Sequence, residues 1–245
     1  MQVPLSNILF LDIETVSQQS SFEELPEEWK SLWKRKAEQL LRNNKEGETP
    51  EAIYGRAGIY AEFGKIICIS CGILQGAGAE RKIILKSFCC DDEKQLLKDF
   101  ADMVNKWNIG PGKYLCAHNG KEFDFPYLCR RMTVHTVEIP TLLHLSGKKP
   151  WEVNHLDTME LWKFGDFKSY TSLNLLAHTL GIQTPKDDID GSMVGDVYWK
   201  EKSTARIVTY CQKDVITVAQ VYLRLQGEPL ISNENIEIRD ESIGK

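Results

Sequence analysis

The chain has 245 residues, of which 42% are hydrophobic, enough to bury the core of one large α/β domain. This composition excludes a wholly disordered chain. The formal net charge of −5 is unlike that of a protein that merely coats nucleic acid, but a cluster of carboxylates that holds cations is itself acidic.

No apolar run approaches the roughly 20 residues that span a bilayer, so we expect no membrane partner. The start of the chain, at Met1–Pro4, lacks the charged and apolar regions of a secretory signal. Seven cysteines, an odd number, are scattered through apolar segments. Together these features predict a cytoplasmic protein with reduced thiols.

The first half of the chain predicts three strands and one inserted helix. Residues 7–13 (NILFLDI) are almost wholly apolar, which predicts a strand buried on both faces. Residues 23–43 predict a charged helix inside an insertion that covers about residues 20–48. Residues 65–74 and 81–88 predict two strands joined by a glycine-containing hairpin turn.

The second half alternates helices and strands. Amphipathic spacing predicts a helix over residues 92–107, and a fourth strand follows at 113–117. The remaining predictions are a helix at 122–132, a short strand at 155–158, a helix capped by Thr171 or Ser172, and a long helix from Ser203 or Thr204 to about Leu225.

This order of elements predicts one α/β domain over residues 1–226. Three leading strands followed by alternating helices and strands favour a mixed sheet with helices on both faces. Residues 227–245 are polar, and we expect a frayed C-terminal tail there.

Two acidic residues, Asp12 and Glu14, stand at the end of the first predicted strand. Alternate residues of a strand share a face, so both carboxyl groups project together. A hard divalent cation relieves their repulsion, because Mg²⁺ and Mn²⁺ prefer carboxylate oxygens. The competing interpretation is two ordinary acids where a strand emerges into solvent, which the buried character of the strand weakens.

A third acidic residue, Asp124, follows the fourth predicted strand. Asn119–Gly120 predicts a tight turn, and Asp124 falls in the first turn of the next helix. A helix start favours a carboxylate through its dipole and free amides, so Asp124 could equally serve only to stabilise the helix.

The last predicted helix carries Tyr210 and Asp214, one helical turn apart and therefore on one face. They lie beside the apolar stripe of the helix, where it would border a cleft. A surface tyrosine and a solvated acid is the alternative interpretation.

The three motifs together, D-x-E, N-x-x-x-F-D and Y-x-x-x-D, resemble those of the DEDD superfamily of exonucleases in its tyrosine subtype. The histidine subtype has a histidine five residues before the last aspartate, where this chain has Thr209. Residues 57–69, 172–182 and 186–194 are similar to stand-alone exonucleases related to the proofreading domain of B-family DNA polymerases. The resemblance covers about residues 5–225.

The resemblance implies an RNase H-like fold and a metal-dependent 3′–5′ exonuclease with two Mg²⁺ or Mn²⁺ ions roughly 4 Å apart. By position, Asp12 would bridge both ions, and Glu14 and Asp214 would complete the site of the attacking water. Asp124 would support the second ion, and Tyr210 would orient the water.

The expected substrate is the 3′ end of single-stranded nucleic acid, with DNA favoured over RNA and nucleoside monophosphates as products. Thr15, Asn119 and Phe123 are candidates to bind the terminal nucleotides, although turn formation and core packing explain the last two equally well. Lys121, Arg130 and Arg131 are candidates for phosphate contacts.

Two other functions stay open on the same fold: a non-catalytic nucleic-acid-binding protein and an RNase H-type endonuclease. The complete set of carboxylates argues against the first. The tyrosine helix and the N-x-x-x-F-D turn argue against the second. A DNA repair or replication partner acting in trans is compatible with the resemblance.

Overall fold

The computed structural model describes residues 3–42, 47–166, 170–183 and 189–240. Within them the chain forms a six-stranded mixed sheet with the order β5-β4-β1-β2-β3-β6. The strands are β1 (Ile8–Ser17), β2 (Gly64–Gln75), β3 (Lys82–Cys89), β4 (Tyr114–Ala117), β5 (Leu156–Asp157) and β6 (Ile236–Ile238). The first three strands are mutually antiparallel, whereas β4, β5 and β6 each pair in parallel with a neighbour.

Seven α-helices accompany the sheet in the described part of the chain. They are α1 (Glu27–Leu41), α2 (Glu93–Trp107), α3 (Asp124–Val134), α4 (Thr158–Lys163), α5 (Leu173–Thr179), α6 (Val194–Asp196) and α7 (Thr204–Leu225). A π-helical turn, Val197–Glu201, continues α6. No helix in the described ranges is long and apolar enough to cross a membrane.

Side-chain alternation along β1 builds two cores, one on each face of the sheet. Leu9, Leu11 and Ile13 face α2 and α3. Ile8 and Phe10 face the opposite helix, α7, whose apolar stripe covers that side. This period of two is what a strand buried on both faces requires, and it confirms the predicted sheet with helices on both faces.

Local capping fixes where several helices begin. Asp92 accepts hydrogen bonds from the backbone N–H groups of Lys94 and Gln95, which starts α2 where the sequence predicts it. Ser172 caps α5 through Leu175 N–H. The predicted bounds of α2, α3, α7 and the four longer strands agree with the structure within a few residues, with one exception: β1 continues to Ser17 rather than ending at Ile13.

The helical insertion forms a small aromatic core of its own. Trp33 of α1 is fully buried and packs edge-on against Tyr54 and Phe63. Its indole N–H donates to the carbonyl of Pro50 at 2.7 Å. The insertion therefore rests on the segment that leads into β2. Its residues 43–46 lie outside the described part of the chain.

The expected frayed tail is wrong for residues 236–238, which form β6. These residues pair in parallel with Ile83–Leu85 of β3. The Asp240 carboxylate then accepts hydrogen bonds from Ser87 N–H and from the Gln212 side chain. A three-residue strand between polar neighbours gives almost no periodic signal, which is why the sequence did not predict it. Residues 241–245 lie outside the described ranges.

Candidate active site

Asp12 and Glu14 lie in the part of β1 that extends beyond its pairing with the parallel strand β4. β4 pairs only with residues 8–10 of β1, so Asp12 and Glu14 stand beyond the end of that pairing. On the other side of β1 they pair with Ser70 and Cys68 of β2. The β1–β2 register shifts directly after Glu14, as at a β-bulge, a feature common beside active sites. Even-numbered residues of β1 face α7, so both carboxyl groups point towards that helix.

Asp124 is the first residue of α3 and is only 3% exposed. Burial raises the pKa of its carboxyl, and the nearby backbone N–H groups of Asp124 itself and of Ile13 partly offset that rise. The start of α3 therefore lies beside the stretch of β1 between Asp12 and Glu14. One carboxylate oxygen, Oδ1, is buried and has no hydrogen-bond partner among the described residues. A buried carboxylate oxygen without a donor is a free ligand atom.

α7 brings Tyr210 and Asp214 to the same place. Burial and then the charge of the Asp214 carboxylate, one helical turn away, raise the pKa of the Tyr210 hydroxyl, so the two groups lie close together. The charge of Asp214 raises the pKa of Asp12 and of Glu14, so the α7 carboxylate lies within electrostatic range of the β1 pair. The structure thus brings together all five residues that the sequence selected.

Burial and mutual repulsion dominate the electrostatics of this cluster. Desolvation raises the pKa of Asp12 and Glu14 well above their ordinary values, and the neighbouring carboxylates add to the rise. Burial also raises the pKa of Asp124 to about 7. For Tyr210, burial and then the nearby carboxylates raise the pKa, so its hydroxyl stays protonated at neutral pH.

Cys211 is a fully buried residue beside the acidic cluster, and its presence at the site was not predicted from the sequence. Its thiol lies 3.4 Å from both the backbone oxygen and Oδ2 of Asp12, and it donates a hydrogen bond there. Ligand atoms of Asp12, Glu14 and Cys211 all lie within 4.8 Å of one another. By helical spacing Cys211 belongs to the apolar stripe of α7, which predicts only a role in core packing.

Asp157 is a second missed residue. It is buried at the end of β5 and caps α4 by accepting from Met159 and Glu160 N–H. The same carboxylate accepts from the backbone N–H groups of Asn119 and Lys121, at 3.0 and 3.1 Å. Its charge contributes to the raised pKa of Asp124. Asp157 therefore anchors the turn before α3. In the sequence, its role is indicated only by its position as a capping residue before a short helix.

The predicted substrate-binding residues lie around the cluster in different settings. Thr15 follows the register shift in β1 and lies near Tyr127, whose hydroxyl donates to the carbonyl of Gly58 at 2.8 Å. Asn119 adopts a positive φ of 62°, which makes the predicted tight turn, and its buried Oδ1 has no partner in the described residues. Phe123 packs on Tyr127 with the ring centroids 5.3 Å apart.

Two of the residues predicted to contact phosphate, Arg131 and Lys121, form ion pairs with acidic side chains of the protein instead. Arg131 is buried, and its guanidinium is held by Glu93 through two hydrogen bonds of 2.9 and 2.6 Å. Lys121 forms an ion pair with Glu160 at 2.7 Å. The prediction for Arg131 is wrong because helical spacing turns that residue towards α2 rather than towards the site. Arg130 is exposed.

The donor set fits hard divalent cations. The carboxylates of four residues converge, their pKa values are raised by burial and repulsion, and Asp124 keeps one oxygen free. Ligand oxygens of Asp12 and Glu14 lie within 4.8 Å of one another, so their negative charges repel. A cation bound by these oxygens would remove that repulsion.

We expect Asp124→Asn to stabilise the metal-free protein. The pKa of Asp124 is about 7 in the folded state against 3.8 ordinarily, so at neutral pH the unfolded chain releases a proton that the folded chain tends to keep. The free energy of unfolding of the wild type therefore falls progressively as pH rises from 3.8 towards 7, by a few kcal/mol at most. Urea unfolding in EDTA should show the variant more stable than wild type at pH 8.

The pH dependence provides the internal control for that measurement. The gain from Asp124→Asn should shrink towards pH 4, because there the carboxyl is protonated in the folded state and nearly half protonated in the unfolded chain, so the two states differ little in bound protons. A gain of equal size at pH 4 and pH 8 would contradict the electrostatic explanation. Excess Mn²⁺ should reverse the order of stability, because wild type gains a ligand-linked stabilisation that the amide variant lacks in part.

The chain is also similar in sequence to a known protein family. Residues 59–234 match a protein family described as "Predicted 3'-5' exonuclease related to the exonuclease domain of PolB". The match includes Asp124, Tyr210 and Asp214, whereas Asp12 and Glu14 precede it. A search of the curated proteins finds no significant match.

Among solved structures, the chain is similar to the family B DNA polymerase from the hyperthermophilic archaeon Pyrobaculum calidifontis. The TM-score is 0.53 at 13% identity, over 90% of this chain and 24% of the polymerase chain. This likeness concerns the fold, and the six-stranded mixed sheet is consistent with the RNase H-like exonuclease domain of such polymerases. Because the family match covers most of its length, the chain belongs to the family of 3′–5′ exonucleases related to the exonuclease domain of PolB.

Proposed function

We propose that the chain removes nucleoside 5′-monophosphates one at a time from the 3′ end of single-stranded nucleic acid, with DNA favoured over RNA. The observation that carries this proposal is the convergence of Asp12, Glu14, Asp124 and Asp214 beside Tyr210, in a chain of this exonuclease family. The preference for DNA rests on the likeness to a DNA polymerase. Repair or replication proteins would be partners in trans.

In the proposed reaction, water adds to the phosphorus of the terminal phosphodiester, and the 3′ oxygen of the preceding nucleotide leaves with a proton. Asp12, Glu14, Asp124 and Asp214 would hold Mg²⁺ or Mn²⁺. A bound divalent ion supplies charge stabilisation to the phosphate and lowers the pKa of the attacking water. The carboxylates of Glu14 and Asp214 would accept the proton that the water loses.

Tyr210 positions the attacking water in this proposal rather than acting as a free base. Its pKa is raised by burial and by the neighbouring carboxylates, so at neutral pH the hydroxyl is a hydrogen-bond donor and acceptor but is not ionised. Its position on α7, one helical turn from Asp214, places it beside the carboxylates. Thr15, Asn119 and Phe123 would contact the terminal nucleotides, with the unpartnered Asn119 Oδ1 as an acceptor for a sugar hydroxyl or a base.

We expect Tyr210→Phe to slow nucleotide release by about a hundredfold, the usual contribution of one positioned hydrogen-bonding group. The affinity for Mn²⁺, measured by calorimetry, should stay close to that of wild type because the carboxylates remain. An unchanged rate would remove Tyr210 from the mechanism. Thr209→Ala is the matched control on the exposed side of the same helix turn.

A labelled-oligonucleotide digest tests the function itself. DNA and RNA oligonucleotides carrying the label at either end are incubated with Mg²⁺, Mn²⁺ or EDTA. Immediate release of labelled mononucleotide from the 3′ label, with a ladder from the 5′ label, is the expected result. Activity that persists in EDTA would refute the metal requirement, and binding without cleavage would favour the non-catalytic alternative.

A closed circular single strand separates the exonuclease from the RNase H-type endonuclease. A closed circle offers an exonuclease no 3′ end at which to start, so the circle should survive conditions that degrade its linear form. Linearisation of the circle would identify the endonuclease instead.

A further inference from the structure

The thiol of Cys211 stands among the carboxylates of the site. It is fully buried, and it lies 3.4 Å from Oδ2 of Asp12. Ligand atoms of Cys211, Asp12 and Glu14 lie within 4.8 Å of one another. Oxygen ligands alone suit Mg²⁺ and Mn²⁺, whereas a thiolate selects softer cations such as Zn²⁺. The exonuclease reaction proposed above makes no use of this sulfur.

The spacing matches a tetrahedral site for such a cation. With Zn–S near 2.3 Å and Zn–O near 2.1 Å, sulfur and oxygen ligands of a tetrahedral zinc lie about 3.5 Å apart. The distance of 3.4 Å between Cys211 Sγ and Asp12 Oδ2 needs almost no adjustment to reach that geometry. The backbone already fixes both groups, Asp12 within β1 and Cys211 within α7.

A further buried ligand atom lies near the same carboxylates. Asp124 is 3% exposed, and its Oδ1 has no partner among the described residues. Its charge acts on both Asp12 and Glu14, which places its carboxyl within electrostatic range of theirs. This orphaned buried oxygen is an independent sign that the cluster is built to take a ligand.

We propose that Cys211, Asp12 and Glu14 form a coordination site for thiophilic divalent cations, Zn²⁺ or Cd²⁺. On binding, the Cys211 S–H bond breaks, the sulfur–metal bond forms, and the proton is released to solvent. Because Asp12 and Glu14 also serve the hard cation, the two kinds of ion exclude each other. Thiophilic cations are therefore inhibitors of the nuclease, a consequence that rests on the proposed function.

Cadmium titration of the metal-free full-length protein tests the site without any nuclease assay. A cadmium–thiolate bond gives an ultraviolet charge-transfer band that carboxylates do not give. The titration is done in a Cys89→Ser, Cys90→Ser, Cys129→Ser background, which removes the two half-buried thiols and the exposed thiol that could bind cadmium adventitiously. We expect the band in this background, its loss on adding Cys211→Ser, and its retention on adding Cys116→Ala. Cys116 is an equally buried thiol in the core on the α7 face.

Retention of the band in the Cys211→Ser protein would overturn the proposal. So would its loss only with Cys68→Ser, because the Cys68 thiol contacts Cys211 and could be the ligand instead. X-ray absorption of the zinc-loaded background protein checks the result without a Cys211 variant. One sulfur at about 2.3 Å with oxygen neighbours is expected, and a shell of oxygen or nitrogen alone would refute the site.

Nuclease assays on the same proteins separate the two proposals. We expect Zn²⁺ to inhibit Mg²⁺-supported nucleotide release, with the inhibitory concentration at least about tenfold higher for Cys211→Ser. A charge-transfer band in a protein that releases no nucleotide would leave the thiolate site standing and reject the exonuclease. Nucleotide release by a protein that shows no band would do the reverse.

Discussion

Asp12→Ala should reduce nucleotide release at least about a thousandfold while the protein stays folded. Asp12 is the central carboxylate of the cluster: its pKa responds to Glu14, Asp214 and Asp124, so it lies within range of all three. Removing it leaves the remaining carboxylates without the group that links the β1 side to the α7 side. Steady-state release from a 3′-labelled oligonucleotide in Mn²⁺ measures the loss, and Asp214→Ala should behave alike.

The same variants distinguish loss of chemistry from loss of fold. Removing one of several crowded carboxylates relieves repulsion, so the thermal midpoint in EDTA should not fall for Asp12→Ala. Asp102→Ala, on the exposed side of α2, is the matched control and should keep full activity. Wild-type rates for both Asp12→Ala and Asp214→Ala would reject the assigned site.

The parts of the site that could be predicted are those fixed by local periodicity. Strand alternation places Asp12 and Glu14 together, and helical spacing places Tyr210 beside Asp214. Cys211 was missed because its contact with Asp12 depends on how closely α7 packs on β1, which no local pattern specifies. Asp157 was missed for the same reason, since its second set of contacts reaches the turn before α3.

The fold also divides into elements that local sequence patterns predict and elements that depend on tertiary contacts. Long apolar runs and amphipathic spacing predicted the main strands and helices, because each buries a continuous face. β6 depends on the free edge of β3 rather than on its own sequence. Arg131 was placed at the site because of its charge and its nearness to Asp124 in the sequence. The structure instead gives it a buried acid as partner, which sequence spacing between α2 and α3 cannot indicate.

The buried ion pair of Glu93 and Arg131 joins four segments of the molecule. Glu93, the first residue of α2, accepts from Arg131 and from Ile66 N–H of β2. His135 Nε2 lies 2.7 Å from the same carboxylate. Arg131 also donates to the carbonyl of Ala61, before β2. The network holds the C-terminal half of α3 against the sheet, while the N-terminal end of α3 carries Asp124.

Glu93→Gln should therefore destabilise the protein by about 3–5 kcal/mol, the usual cost of leaving a buried charge without its partner. The amide can still accept from Ile66 N–H, but its NH₂ group faces the donors of Arg131 and supplies no compensating charge. Urea unfolding at pH 7 measures the change. Glu27→Gln is the control: Glu27 pairs with Lys30 at 2.7 Å, nearly the same distance as the Glu93–Arg131 pair, but the carboxylate is exposed. No measurable change is expected there, because solvent screens an exposed pair.

A double-mutant cycle separates the buried charge from the lost contacts. Arg131→Met leaves the Glu93 carboxylate uncompensated and should be similarly destabilising on its own. Combining it with Glu93→Gln removes both charges, so the double variant should lose clearly less stability than the sum of the single losses. Additive losses would mean that the two side chains act through separate packing contacts. The remaining loss in the double variant includes the contacts of the pair with the carbonyl of Ala61 and the ring of His135, since both then lose a charged partner.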